Sequence, residues 1–160
     1  MSIGHPLRLI CLAFLVLPGL SLAEEFIGRV VAVPDGDDVL VVRAGIPKDV
    51  RLNGIDCPEK RQAYGWRATQ FTSDHTLGKD ITVRTHGLDK YGRIIGDVIL
   101  PDGSILNREL VQAGLCWWYR KYAPNDTVLA GLEKEARDGK RGLWVNPNPV
   151  PPWEWRKRRD

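Results

Sequence analysis

Between Phe26 and Leu100 the chain changes hydrophobic period twice, and those changes outline the elements. Phe26 to Val33 and Asp38 to Arg43 are runs rich in β-branched residues, the composition that suits a pleated, half-buried strand. Pro34-Asp35-Gly36-Asp37 lies between them as a turn signal, so the two runs read as a hairpin with an acidic tip. A third strand is expected from about Lys48 to Ile55, ending at Asp56-Cys57-Pro58-Glu59, where Pro58 stops regular pairing. From Tyr64 to Leu77 the spacing becomes helical: Ala68, Phe71, Thr72 and His75 fall on one stripe, and Gly78 is placed to close the helix. Ile81, Val83 and Thr85 then alternate with Thr82 and Arg84 as a fourth strand, and Arg93 to Leu100 supplies a fifth before the Pro101-Asp102-Gly103 turn. A short helix near Asn107 to Ala113 leads into the aromatic segment Leu115 to Tyr122. A last helix, about Thr127 to Lys140, carries Leu129, Leu132 and Ala136 inward, with Glu133 and Arg137 paired on its outside.

Three strands, an inserted helix, two more strands and then helices predict a mainly β fold. The expected form is a small closed antiparallel barrel of OB type with five strands and three α-helices, an open α+β sheet being the alternative. A chain of 160 residues has room for one such domain. Outside it, Met1 to Ala23 has the parts of a secretory signal: Arg8, an apolar stretch from Leu9 to Leu20 that is short for a membrane span, and the small-x-small Ser21-Leu22-Ala23. Residues 24–144 are then the domain and 145–160 a Pro-rich, Trp-containing basic tail, read as solvated or in loose contact with phosphate. An uncleaved membrane anchor competes with the cleaved signal; cleavage would leave an exported protein, periplasmic or secreted, with no stable membrane association and expected to be a monomer.

Charge narrows how such a protein would hold an anion. Removing residues 1–23 takes one of 23 basic residues and none of the 20 acidic ones, which leaves a balance of about +2. No global positive field is present, so any grip on phosphate falls to individually placed arginines. Cys57 and Cys116 remain after the signal is removed; they permit one bridge in an oxidising compartment, and the sequence leaves its formation open.

Two acidic groups, Asp35-Gly36-Asp37-Asp38 and Asp56-Cys57-Pro58-Glu59, end neighbouring strands, and a barrel would bring them to one rim. Clustered carboxylates repel unless a cation lies among them, and a hard ion such as Ca²⁺ accepts a site with few protein ligands completed by water. The spacing is not that of an EF-hand loop, and taken singly Asp-Gly is first a turn. Arg51 leads toward Asp56, and Arg93 follows Asp89-Lys90-Tyr91-Gly92 at a strand start; each guanidinium is able to hold phosphate oxygens through two bonds, or to pair with a surface carboxylate. Trp117, Trp118 and Tyr119 read as core or as a platform for bases. His75, on the buried stripe of its helix, and His86, without an acidic neighbour in any motif, are assigned no chemistry.

Asp35-Gly36-Asp37, Arg51-Leu52-x-Gly-Ile55-Asp56-Cys57-Pro58-Glu59, Asp89-Lys90-Tyr91-Gly92-Arg93, Asn107-x-x-Leu110-Val111-x-x-Gly114 and Tyr122-Ala-Pro124 stand in one order. Together they resemble the staphylococcal nuclease (thermonuclease) family, over about Phe26 to Trp144. The resemblance implies an OB-type barrel with three helices that cleaves DNA and RNA endonucleolytically and leaves 3′-phosphates. It implies Ca²⁺ held by Asp37, Asp56 and the backbone carbonyl of Cys57, phosphate contacts from Arg51 and Arg93, and Glu59 positioning or deprotonating the attacking water. Lys90 and Tyr122 are the substrate contacts it suggests. The chain departs from the family pattern at Asp38, where threonine is usual, in the short loop from Glu59 to Tyr64, and at Arg120, which replaces a pocket tyrosine. A non-catalytic nucleic-acid-binding barrel and a phosphate sensor are the competing functions; retention of Asp37, Arg51, Asp56, Glu59 and Arg93 together argues against the first, and Glu59 has no task in the second.

Overall fold

The structure, a computed structural model, describes residues 24–158; the expected signal segment lies outside the described residues. In chain order the elements are β1 (Glu25–Asp35), β2 (Asp38–Arg43), β3 (Ile46–Leu52), β4 (Ile55–Asp56), α1 (Gly65–Thr76), β5 (Asp80–Leu88), β6 (Ile94–Ile99), α2 (Leu106–Gln112), β7 (Trp117–Trp118), α3 (Thr127–Asp138), a 3₁₀ turn (Gly142–Val145) and α4 (Pro152–Lys157).

Five of the strands close a barrel in the order β1-β2-β3-β6-β5, the ring expected of an OB-type fold. The expectation of a wholly antiparallel barrel needs one correction: β3 and β6 run parallel, from Val50 opposite Ile94 to Leu52 opposite Gly96. Strand direction cannot alternate all the way round a ring with an odd number of members, so one seam must be parallel. Alternation along each strand fills the interior. Phe26, Val30, Val39, Val41, Val50, Leu52, Ile81, Val83 and Val98 are all buried, and Leu106, Leu110 and Val111 of α2 join the same core.

The third strand ends earlier than its composition suggests. Gly54, at φ 72°, turns the chain out of the barrel, so that β4 pairs with β7 instead, Ile55 opposite Trp118 and Asp56 opposite Trp117. A disulfide joins Cys57 to Cys116 immediately beside that small sheet. Trp117 is core: it packs edge-on against Trp144 at 4.4 Å between ring centroids, in a second buried cluster with Ala136 and Leu143.

Two readings of the helices change. On α1 the buried face is Gly65, Ala68, Thr69, Thr72 and Thr76, with Phe71 and His75 stacked on each other at its edge. Glu133, expected outside α3, is buried; it accepts from the Trp118 amide and pairs with Arg120 and Arg137 at 3.3 Å each, satisfying a strand end the helix would otherwise bury bare. The tail supplies a fourth helix to the expected three. Pro151-Pro152 starts α4, Pro152 is buried, and Trp153 stacks on Tyr119 at 5.1 Å.

Candidate active site

The acidic tip of the first hairpin is held from below by α1. Gly36 donates its amide to Asp35 Oδ1 at 2.8 Å, and its carbonyl accepts from Thr72 Oγ1 at 2.6 Å. A β-carbon on Gly36 would lie 2.7 Å from that of Ala68 and 3.0 Å from that of Cys57, so glycine is what allows this close approach. Asp37 then faces inward, 1% exposed, and its Oδ2 accepts from the Cys57 amide at 2.7 Å. The hairpin tip and the segment after β4 are thus tied through one carboxylate.

Arg51 stands across from Asp38 in the β2–β3 register and collects the acids. Its Nη1 donates to Asp37 Oδ1 at 2.7 Å and to Asp38 Oδ2 at 2.9 Å, and its Nη2 to Asp56 Oδ1 at 2.8 Å. Asp38 reaches onward, its Oδ1 accepting from Arg93 Nη1 at 2.9 Å. Arg93 is in turn set by Asp89, which accepts from the Arg93 and Tyr91 amides at 2.9 Å and from Arg93 Nε at 2.8 Å. The position that departs from the family pattern, Asp38, is therefore the link between the two arginines.

Burial raises the Asp37 carboxyl well above the ordinary carboxylate range; Arg51 opposes the shift, and the charges of Asp56 and Asp38 add to it. Asp35 is raised too, chiefly by burial, which the Gly36 amide opposes and Glu59 and Asp38 reinforce. Arg51 is held firmly charged: burial disfavours its cation, and Asp37, Asp38 and Asp56 more than reverse that. Each of Asp37, Asp38 and Asp56 is paired with Arg51, and Arg93 and Arg156 take further oxygens of Asp38 and Asp56. Among the described residues no three acidic, histidine or cysteine side chains form a complete ligand set. Asp37 and Asp56 are the carboxylates that could take part in holding a hard ion, and such an ion would share them with Arg51.

The cluster opens on one side to a cleft of about 1060 Å³, whose lining includes Asp56 but not Asp37, Cys57 or Glu59. Arg51, Asp56 and Arg93 lie in its wall with Lys90 and Tyr122, the two suggested substrate contacts. Tyr122 is 71% exposed and meets Tyr119 edge-on at 5.0 Å. Arg120 does not fill the role of the tyrosine it replaces; it turns to Glu133 and lies over the Trp118 ring at 4.8 Å. His86, read as lacking an acidic neighbour, pairs with Asp97 at 2.9 Å, its partner on β6. The sequence reading missed Arg156, which lines the cleft from α4 and bonds Asp56 and Glu59 at 2.7 and 2.8 Å. The signal available for it was the Pro-Pro-Trp-Glu-Trp-Arg run, a helix start with two aromatics able to dock it.

Comparison with known proteins agrees with this geometry. Residues 49–146 match the family described as staphylococcal nuclease homologue. An Escherichia coli protein named "Uncharacterized endonuclease" is 45% identical over 138 residues, covering 86% of this chain and 90% of that protein. A Shigella flexneri "Micrococcal nuclease" is 39% identical over 162 residues, covering 94% and 92%. The "Staphylococcal-like nuclease CAN1" of Arabidopsis thaliana is 38% identical over 110 residues, covering 69% of this chain and 33% of that longer protein. The family match and these relatives, on a closed five-stranded barrel with arginines and a carboxylate lining its cleft, make the chain a phosphodiester hydrolase of the nuclease class. The chain belongs to the staphylococcal nuclease family.

Proposed function

We propose that the chain is an exported, calcium-dependent endonuclease acting on DNA, RNA or both. The observation that carries this reading is the convergence of buried Asp37 and Asp56 on Arg51, with Arg93 joined to the cluster through Asp38 and Glu59 through Arg156. Asp37, Asp56 and the Cys57 carbonyl are the groups that would hold calcium. Bound there, the ion would orient the phosphate and neutralise charge rather than strongly acidify water.

Arg51 and Arg93 take the phosphate oxygens. Each would exchange part of its carboxylate contacts for the phosphate, whose crowded dianionic transition state a guanidinium stabilises through paired bonds. Glu59, at the edge of the cluster, accepts the proton of the attacking water. A general base of this kind typically supplies about 10²–10⁴-fold, which leaves most of the acceleration to the positive groups around the phosphate. Lys90 and Tyr122 extend the contact along the strand. Export is supported by the signal-like segment 1–23 and by the Cys57–Cys116 disulfide, which suits an oxidising compartment.

The test is digestion of single-stranded DNA, duplex DNA and RNA with Ca²⁺, Mg²⁺ or chelator, beside Glu59→Gln. Chelator-sensitive cleavage that Glu59→Gln lowers by about 10²–10⁴-fold without ending it is expected. A folded protein that binds these substrates and cuts none would instead be a nucleic-acid-binding module.

A further inference from the structure

We propose that the C-terminal segment is part of the catalytic apparatus, and that Arg156 is a positioning residue for Glu59. This rests on the reading of Glu59 as the base. Glu59 belongs to the irregular stretch between β4 and α1, where no ladder or helix fixes a side chain. Its loop is held from two sides by residues of the tail. On the backbone side, buried Gln62 accepts from the Glu59 amide at 3.2 Å and donates its own side-chain amide to the Val150 carbonyl. On the side-chain side, Arg156 Nη1 donates to Glu59 Oε1 at 2.8 Å while Nη2 donates to Asp56 Oδ2 at 2.7 Å.

Among the described residues Arg156 is the hydrogen-bond partner of the Glu59 carboxylate. One planar guanidinium therefore sets the base at a fixed separation from Asp56, a buried acid that Arg51 fixes from the other side. That geometry needs a forked donor; the point charge of a lysine cannot reproduce it. α4 is itself anchored by buried Pro152 and by Trp153 against Trp117 and against Tyr119 of the cleft wall. The helix thus arrives at the cleft as a fixed strut, and Arg156 transmits its position to the carboxylate that must meet the water.

The test is a double-mutant cycle on the full chain at saturating calcium, using single-stranded DNA, with Glu59→Gln, Arg156→Gln, their combination and Arg156→Lys. Thermal unfolding confirms that each variant is folded. Arg156→Gln is expected to lower kcat on the order of 10–100-fold, the size of effect seen when a partner that orients a functional side chain is lost. KM stays unchanged, Arg156→Lys recovers part of kcat, and the double variant cuts no worse than Glu59→Gln alone, because the arginine acts through the glutamate.

Three results would overturn the proposal. A raised KM with further loss in the Glu59→Gln background would make Arg156 a direct phosphate contact. A kcat equal to or above the parent, with tighter calcium binding by calorimetry, would make it an obstacle on Asp56. Arg156→Gln equal to the parent in every measurement would make the tail decorative. Full activity of Glu59→Gln itself would instead refute the base assignment, a separate failure.

Discussion

Replacing Arg51 with glutamine removes the cation that bridges Asp37, Asp38 and Asp56, and the cost follows from what each acid has left. Asp56 keeps Arg156, and Asp38 keeps Arg93. Asp37, 1% exposed, keeps the Cys57 amide as its remaining donor. Removing one partner of a buried ion pair costs about 3–5 kcal/mol, because the other charge stays behind in a poorly solvated place. Two of the three acids are relieved, and burial already favours a proton on Asp37, so the expected loss for Arg51→Gln lies at the lower end, about 3 kcal/mol.

The measurement is urea unfolding followed by circular dichroism, in chelator and in excess calcium. Calcium at a hundred times its dissociation constant stabilises a one-site protein by about 2.7 kcal/mol. In calcium the variant should therefore come back to about the stability that the parent has in chelator, while remaining inactive. That separation of stability from activity is the signature of an arginine serving both the acids and the phosphate. An Arg51→Gln protein within about 1 kcal/mol of the parent in chelator would refute the reasoning, since it would mean that water already relieves the cluster.

Arg93→Ala should lose more in kcat than in substrate binding, and an unchanged kcat in steady-state assays would remove it from the mechanism. Replacing Cys57 and Cys116 together with serine opens a loop with 59 residues of separation; chain entropy puts the loss at about 4 kcal/mol by urea unfolding, and freeing the Cys57 backbone should weaken calcium binding in calorimetry. Gly36→Ala drives a β-carbon onto Ala68 and Cys57 and should lower stability by about 1–3 kcal/mol along with activity. Although slight desolvation raises the Asp89 carboxyl, the Arg93 side chain and the Arg93 and Tyr91 amides hold it below its ordinary value. Its contribution to stability is therefore present above the ordinary carboxylate range and is lost as pH falls through the lowered value. Asp89→Asn should flatten that part of the acid-unfolding profile and, by loosening Arg93, lower kcat.

What the sequence made legible was local. The hairpin and its acidic tip were readable because turn chemistry and strand alternation lie within a dozen residues, and the barrel followed from the order of strands and helices. Arg51 and Arg93 were readable as residues of one site because each stands in a recognisable motif beside acids, and both do line the cleft. The misses share another cause. The break after Leu52 depends on a left-handed Gly54 and on a pairing partner in β7 far down the chain. Glu133 is buried because a strand end needs an acceptor, a demand that helical periodicity does not register. Arg156 meets Glu59 and Asp56 across 97 and 100 residues of sequence, and a run of basic residues at a chain end ordinarily reads as solvated.

The arginines also explain how such a cluster of acids folds at all. Strand ends deliver Asp37 and Asp56 to the same buried point, and neither could remain ionised there beside the other without a counter-charge. Arg51 and Arg156 supply it from opposite sides of Asp56, while Arg93 draws Asp38 outward toward the cleft. A guanidinium that binds paired carboxylate oxygens is, by the same planar fork, suited to phosphate oxygens. Arg51 and Arg93, which hold these acids in place, are thus chemically suited to the phosphate contact proposed for them, while Arg156 faces Asp56 and Glu59. Asp38, where the family pattern usually has threonine, is what couples Arg51 to Arg93.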